Sequence, residues 1–428
     1  MKKIVPLEHG LIGLIKVPGD KSISHRAVML SSLGDSTVEV KNFLRGADCL
    51  STIGCMRSMG VEIVDAGNRL LITGRGLDGL SEPTNVLDAG NSGTTLRLLL
   101  GLLSTQNFLT TFTGDDSLRS RPMARVIKPL TSMGATIVGR NLNKNLPITI
   151  LPSTSKLHGI EYEMPVASAQ VKSAILLAGL RADSPTTVIE PHRSRDHTER
   201  MLEVFGARLE RRGNAVTIYP IERLQAPTSI EVPGDISSAA YWIVLASIVE
   251  GSDVVIEGVG VNETRTGIID VMSAMGATIE FLNERSSGGE LIADIRVMSA
   301  QLKGVEFGGE TIPRLIDEIP IIAVAAAFAE GDTIINDVGE LRVKESDRLA
   351  AIVEEFNRLS AGSFEAQGDS LIIHGRRQLS SARCSTRDDH RMAMSLSIFG
   401  AAGAGVELDR PDCVDISYPT FYQTLEEA

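Results

Sequence analysis

Six apolar stretches rich in Ala, Leu, Val and Ile punctuate the chain, over 23–33, 94–103, 169–181, 238–249, 315–329 and 390–402. Their starts lie about 70 to 80 residues apart, the self-similarity that a repeated supersecondary unit leaves in a sequence. Their length and composition predict helices, and a stretch with no polar face, such as 171–180, must be enclosed by other elements. A run rich in β-branched residues and flanked by Gly, Asp or Asn follows each one, over 36–40, 108–112, 186–190, 253–257, 332–336 and 405–409, which predicts six matching strands. A more polar segment comes next, and in four units it ends on a glycine, Gly60, Gly134, Gly206 or Gly276. That placement fits the C′ position of an outer helix, where the backbone needs a positive φ. A fifth outer helix, near 349–359, is degenerate, and a sixth runs from about 420 to the end.

Each unit is therefore expected to hold an inner helix, a strand, an outer helix and a strand pair. The sixth unit stops after its outer helix, whereas the chain opens with strands, over 3–7 and 11–17, that no helix precedes. The opening strands are expected to complete the last unit. The resulting fold class is α/β with two domains, each of three repeated α/β units around buried helices. One domain is continuous, 19–231, and one discontinuous, 1–18 plus 232–428. Two chain crossings, at the Val-Pro-Gly-Asp turns of 17–20 and 232–235, would join them, and a two-strand hinge would let a cleft between the domains close.

Composition narrows the class. A chain of 428 residues, 43% hydrophobic and 22% charged, is globular and large enough for two substantial cores. The longest apolar stretch, 321–329, is about half a membrane span, and the Met1-Lys2-Lys3 start leads into a strand, so a cytoplasmic protein without a membrane partner is expected. Cys49, Cys55, Cys384 and Cys413 form no CxxC pair and no grouping with His, so buried thiols are expected, without disulfides and without a metal. A formal net charge of −12 argues against a nucleic-acid partner. Any anion site must then be a local basic pocket.

Candidate pockets of that kind sit where the inner helices begin. Residues 17–26, VPGDKSISHR, place a Pro-Gly turn, an acid, a lysine, two hydroxyls and an arginine before the first apolar helix. Asp20 or Ser22 can cap its N-terminus, and Ser22 and Arg26, four apart, share a helix face with Lys21 just ahead. A hydroxyl, an ammonium, a guanidinium and a helix N-terminus together suit an oxyanion such as phosphate or carboxylate. The turn recurs at 232–235 without Lys21, Ser22 and Arg26, which marks those three as additions to a structural turn. Further polar groups open the second unit (Asp88 to Thr95), the third (Ser168, Gln170, Lys172), the fifth (Asp317, Glu318) and the sixth (Asp388, Asp389, His390, Arg391). Outer helix starts add Arg119 and Arg121, Arg195 to His197, and Arg342 to Arg348, where Lys344 and Arg348 are expected on one helix face with Glu345 beside them. Each group also has a plain structural reading as a helix cap or a solvated ion pair.

These segments resemble the 5-enolpyruvylshikimate-3-phosphate synthase family, in its divergent second class. The resemblance covers essentially the whole chain and rests on PGDKSISHRA (18–27), GNSGTTLRL (90–98), SLRSRPM (117–123), SAQVKSAILLAGL (168–180), SRDHTERM (194–201), DEIP (317–320), RVKESDRL (342–349) and DDHRMAM (388–394). It implies the two-domain enolpyruvyl transferase fold and a shikimate-pathway transferase of aromatic amino acid biosynthesis. The implied reaction moves the enolpyruvyl group of phosphoenolpyruvate to the 5-hydroxyl of shikimate 3-phosphate and releases phosphate, with no metal or organic cofactor. By matching motifs, shikimate 3-phosphate is expected on Lys21, Ser22, Arg26, Ser168, Gln170, Arg195, Asp317 and Lys344. Phosphoenolpyruvate is expected on Lys21, Gly93, Arg121, Gln170, Arg348 and Arg391. The resemblance casts Asp317 as base toward the attacking hydroxyl and Glu345 as the acid that protonates the methylene carbon, with Lys21 and Lys344 assisting. A monomer is expected.

Three positions depart from the common pattern. Ala169 stands where many members have a second serine, Leu98 where the enterobacterial and plant form has proline, and Ile416 where that form has a lysine toward phosphoenolpyruvate. Gly93 lacks the methyl that blocks glyphosate in some tolerant members. The related UDP-N-acetylglucosamine enolpyruvyl transferases typically carry Lys-Asn at the first junction and a reactive cysteine before their Arg-Pro pair. Here those places hold Lys21-Ser22 and a cysteine-free 115–120 segment. A non-catalytic anion-binding scaffold of repeats is the alternative from another class, and it predicts no turnover.

Overall fold

Each apolar stretch is a helix: Lys21–Leu33, Gly93–Leu103, Ala169–Gly179, Ile236–Ile248, Ile319–Phe328 and His390–Ala402. The computed structural model describes residues 1–427 of the chain. Five of these helices begin on a side-chain cap, from Asp20, Ser92, Ser168, Asp235 and Asp389, which accept backbone N–H groups that have no partner within the helix. The remaining one, Ile319–Phe328, places Pro320 in its first turn, where a missing N–H costs nothing. It starts at Ile319 rather than 315 because Gly309–Arg314 forms a separate 3-10 turn ahead of it.

The strands fall where the β-branched runs are, and among the described residues they build five four-stranded sheets and one three-stranded sheet. In the second unit, Leu87–Asp88 precedes the inner helix and lies parallel to Thr110–Thr113, the strand that follows it. A hairpin of Asn145–Ile150 and Ile137–Gly139 completes the sheet in antiparallel pairing. The third and fifth units repeat this arrangement. The glycines after four outer helices, Gly60, Gly134, Gly206 and Gly276, all have positive φ, as a C′ residue should.

The opening strands depart from the sequence expectation. Lys2–Ile4 does pair antiparallel with Val406–Leu408 of the sixth unit, making a three-stranded sheet. Ile12–Lys16 instead pairs parallel with Asp253–Gly260 of the fourth unit. Ser229–Glu231, which precedes the fourth inner helix, pairs with Thr37–Lys41 of the first unit. The two strands that enter the Val-Pro-Gly-Asp turns have thus changed places between sheets. The turn explains the exchange: each one ends a strand and starts a helix that belongs to a different unit.

The chain forms two compact units. One comprises Met1–Pro18, Pro233–Arg285 and Leu291–Ala428, and the other Gly19–Val232 and Ser286–Glu290. The backbone passes between them four times rather than the expected two, because the tip of the hairpin Thr278–Ser287 and Glu290–Met298 groups with Gly19–Val232. Each has its own apolar core, one drawn from Ile23 to Val232 and the other from Ile4 to Leu425. Among the described residues, no helix is long and apolar enough to cross a membrane.

Candidate active site

In the unit containing Gly19–Val232, the cations predicted from the sequence sit at helix starts, held by hydrogen bonds. Asp20 caps the first helix by accepting from the Ile23 N–H at 2.8 Å. Lys21 follows, 2.5 Å from the buried Asp48 carboxylate. Arg26 is buried one turn further on; its Nε donates to Thr198 Oγ1 at 2.6 Å, Nη2 to Ser173 Oγ at 2.8 Å and Nη1 to the Ser22 carbonyl at 2.9 Å. Burial pushes its pKa down to about 10, against the pull of Glu199 and Asp20, and the side chain remains a cation at neutral pH. Ser22 and Arg26 do share a face, as their spacing predicts.

Gly93 opens the second inner helix between two guanidiniums. A Cβ there would lie 2.8 Å from Arg97 Nη1 and 3.5 Å from Arg121 Nη1, so the missing side chain leaves the helix N-terminus open. Asn91 orients Arg121, whose Nη2 donates to its side-chain oxygen at 2.7 Å and to Ser117 Oγ at 3.1 Å. Gln170 accepts from Arg97 Nη1 and donates to Thr94 Oγ1 at 2.9 Å. Ser168 caps its own helix through the Val171 N–H at 3.5 Å. Arg195, half-buried, lies just before the third outer helix, His197–Val204. Arg97 is not among the residues expected at the site, although it lies one helical turn after Gly93 within GNSGTTLRL (90–98), and that spacing is the signal that points to it.

The unit containing Pro233–Arg285 gathers Asp317, Lys344, Glu345, Arg348 and Arg391. Asp317 Oδ1 lies 3.2 Å from Lys344 Nζ and 3.3 Å from Arg348 Nη1, and the Asp317 carbonyl accepts from Arg391 Nη1 at 3.2 Å. Glu345 Oε2 is 2.7 Å from Arg348 Nη2. Arg348 also donates Nε to Asp389 Oδ2 at 2.8 Å. Arg348 and Asp389 are both fully buried. Burial alone would disfavour both charges; the pair reverses this, so the guanidinium pKa stands raised and the carboxyl pKa lowered. Asp389 is a helix cap as well, accepting from the Arg391 N–H at 2.9 Å, so one carboxylate holds the Arg348 side chain and the Arg391 backbone.

One expectation fails in its local form. Lys344 is not on a helix with Arg348: it has extended backbone at the end of the 3-10 turn Gly339–Val343, and the helix begins at Arg348. The two meet at Asp317 through tertiary placement. Arg265, by contrast, carried no sequence signal and is buried beside Glu318, Asp235 and Ser237, with Nη2 2.6 Å from the Ser237 hydroxyl. Ile416 is half-buried and ends the 3-10 turn Pro411–Ile416. No group of His, Cys, Asp and Glu that could hold a metal ion occurs among the described residues.

Buried cations at open helix N-termini in one unit, and a carboxylate ringed by cations in the other, suit small anionic substrates and proton transfer. Comparison with known proteins points the same way. The family model for EPSP synthase (3-phosphoshikimate 1-carboxyvinyltransferase) matches residues 7–425. The 3-phosphoshikimate 1-carboxyvinyltransferase of Desulforudis audaxviator is 54% identical, covering 99% of this chain and 98% of that one. Its counterpart in Desulforamulus reducens is 52% identical over 97% of both chains. Among solved structures, the EPSP synthase of Acinetobacter baumannii superposes with a TM-score of 0.89 at 42% identity, over 100% of this chain and 97% of that one. A match of this extent to a single family model, with relatives aligned end to end, places the chain in the EPSP synthase family.

Proposed function

We infer that this protein transfers the enolpyruvyl group of phosphoenolpyruvate to the 5-hydroxyl of shikimate 3-phosphate, releasing inorganic phosphate. The observation that carries the reading is the Asp317 cluster in a chain that the family model matches over residues 7–425: a carboxylate in reach of Lys344, Arg348 and Arg391, with Glu345 on Arg348. The acceptor hydroxyl adds to C2 of phosphoenolpyruvate while a proton reaches the methylene carbon. The tetrahedral adduct then loses a methyl proton and expels phosphate, restoring the double bond.

Asp317 takes the hydroxyl proton and Glu345 supplies the proton to carbon, with Lys21 and Lys344 steadying the charge that develops. Shikimate 3-phosphate rests on Lys21, Ser22, Arg26, Ser168, Gln170, Arg195, Asp317 and Lys344. Phosphoenolpyruvate rests on Lys21, the N–H at Gly93, Arg121, Gln170, Arg348 and Arg391. The enzyme works as a monomer in the cytoplasm without a nucleic-acid partner. The acidic balance of −12 and the four free thiols, three of them buried, support the last two assignments; sedimentation checks the first.

Phosphate release from phosphoenolpyruvate, with and without shikimate 3-phosphate, tests the reaction. Release only when both are present is expected; release driven by a UDP-sugar, or none at all, overturns it. Glu345→Gln and Asp317→Asn are each expected to lower kcat by about 10²- to 10⁴-fold, the usual size of a general acid–base contribution.

A further inference from the structure

Beneath Arg26 and Arg195 lies a buried ion cluster that the reaction does not use. Lys172, on the helix Ala169–Gly179, is 1% exposed. Its Nζ lies 2.7 Å from Glu190 Oε2, 2.8 Å from Glu199 Oε1 and 3.2 Å from the Ser194 carbonyl oxygen. All three polar groups of Ser194 are engaged here: the carbonyl by Lys172, the hydroxyl by donation to Glu190 Oε1, and the N–H by donation to Glu190 Oε2 at 3.4 Å. Arg195 is the next residue. On the other side, Thr198 precedes Glu199 and Ser173 follows Lys172. Their hydroxyls lie 2.6 Å apart and accept the Nε and Nη2 of Arg26.

The cluster balances, since Lys172 and Arg26 carry two positive charges and Glu190 and Glu199 two negative ones. Burial disfavours the ammonium, yet Glu199 and Glu190 overcome it and hold the Lys172 pKa above its ordinary value. A purely structural site of this depth is served as well by apolar packing, because desolvating charges offsets most of their attraction. What charges add is direction: an ammonium holding two carboxylates and a carbonyl allows one arrangement of the 190–199 segment.

We propose that Lys172, with Glu190 and Glu199, is a positioning device that fixes the backbone before Arg195 and the hydroxyls that aim Arg26, and so sets affinity for the phosphorylated acceptor rather than for phosphoenolpyruvate. The inference rests on the reading above, in which both arginines hold shikimate 3-phosphate.

Its test uses Glu190→Gln, which keeps shape and leaves Lys172 paired with Glu199, and the charge-balanced double variant Lys172→Met/Glu199→Gln. Calorimetric titration with shikimate 3-phosphate alone is expected to show about tenfold weaker binding, about 1.4 kcal/mol, in both. KM for shikimate 3-phosphate should rise in parallel, KM for phosphoenolpyruvate should stay within about twofold, and kcat should fall by less than about threefold. Folded variants whose shikimate 3-phosphate affinity matches the parent, or that lose both substrates equally, overturn the inference. Should the double variant fail to fold, Glu190→Gln and Ser194→Ala decide the question. A parent protein that neither binds shikimate 3-phosphate nor turns over overturns the proposed function itself, and this inference with it.

Discussion

His25 shows how much a single buried side chain can decide. It sits one turn into the first inner helix, fully buried, with Nδ1 2.7 Å from Thr52 Oγ1, which in turn lies 2.7 Å from Thr95 Oγ1. Burial first, then the positive charges of Lys21 and Arg26, hold its pKa well below the ordinary value, so the folded state keeps a neutral ring. The unfolded chain takes up a proton near pH 6.5 and the folded one only at much lower pH. The unfolded state therefore binds more protons as pH falls through that window, and stability present above about pH 6.5 is lost below it, by up to about 1.4 kcal/mol per pH unit. Urea melts of the parent between pH 7 and 5 should show this slope, and His25→Asn should flatten it. Arg348 makes the complementary case: Arg348→Met would strand the buried Asp389 carboxylate, and a loss of about 3–5 kcal/mol in urea unfolding is expected.

Among the elements, the inner helices were legible because an apolar run with a Ser or Asp ahead of it specifies both a helix and its start. How closely two of them pack was not. Gly101, in the last turn of Gly93–Leu103, faces the helix Ala169–Gly179, and a Cβ there would lie 2.1 Å from the Ala174 carbonyl oxygen. On propensity alone Gly101→Ala should stabilise the helix by about 1 kcal/mol. The clash is with backbone, which cannot step aside, so we expect a net loss of about 1–3 kcal/mol, read as a lower melting temperature. The fifth outer helix looked degenerate because it is interrupted: Arg348–Ala351 passes through a wider π turn at Ile352–Phe356 before Asn357–Leu359. A widened turn shifts the apolar spacing off the helical period, which is why the pattern faded.

At the scale of the whole chain, the opening strands join sheets built from distant segments, Asp253–Gly260 and Val406–Leu408. Ile4, Leu11, Ile15 and Val17 are buried in the core that runs to Leu425. At about 1.5–3 kcal/mol for each buried side chain, the four together rival the entire stability of an ordinary domain. Deleting 1–18 is therefore expected to unfold the unit of Pro233–Arg285 and Leu291–Ala428 while Gly19–Val232 keeps its own core. Hydrogen exchange should lose protection in Ile236–Ile248 and retain it in Gly93–Leu103. By itself the sequence determined the repeated unit, the helix starts, the strands and the residue types gathered at them, since periodicity, caps and β-branched runs are local properties. Only the tertiary structure decided which sheet Ile12–Lys16 joins, that Lys344 meets Arg348 at Asp317 without sharing a helix, and that Lys172 and Arg265 are sunk among carboxylates. Strand partners and charge partners are chosen by packing between distant segments, and no spacing along the chain records that choice.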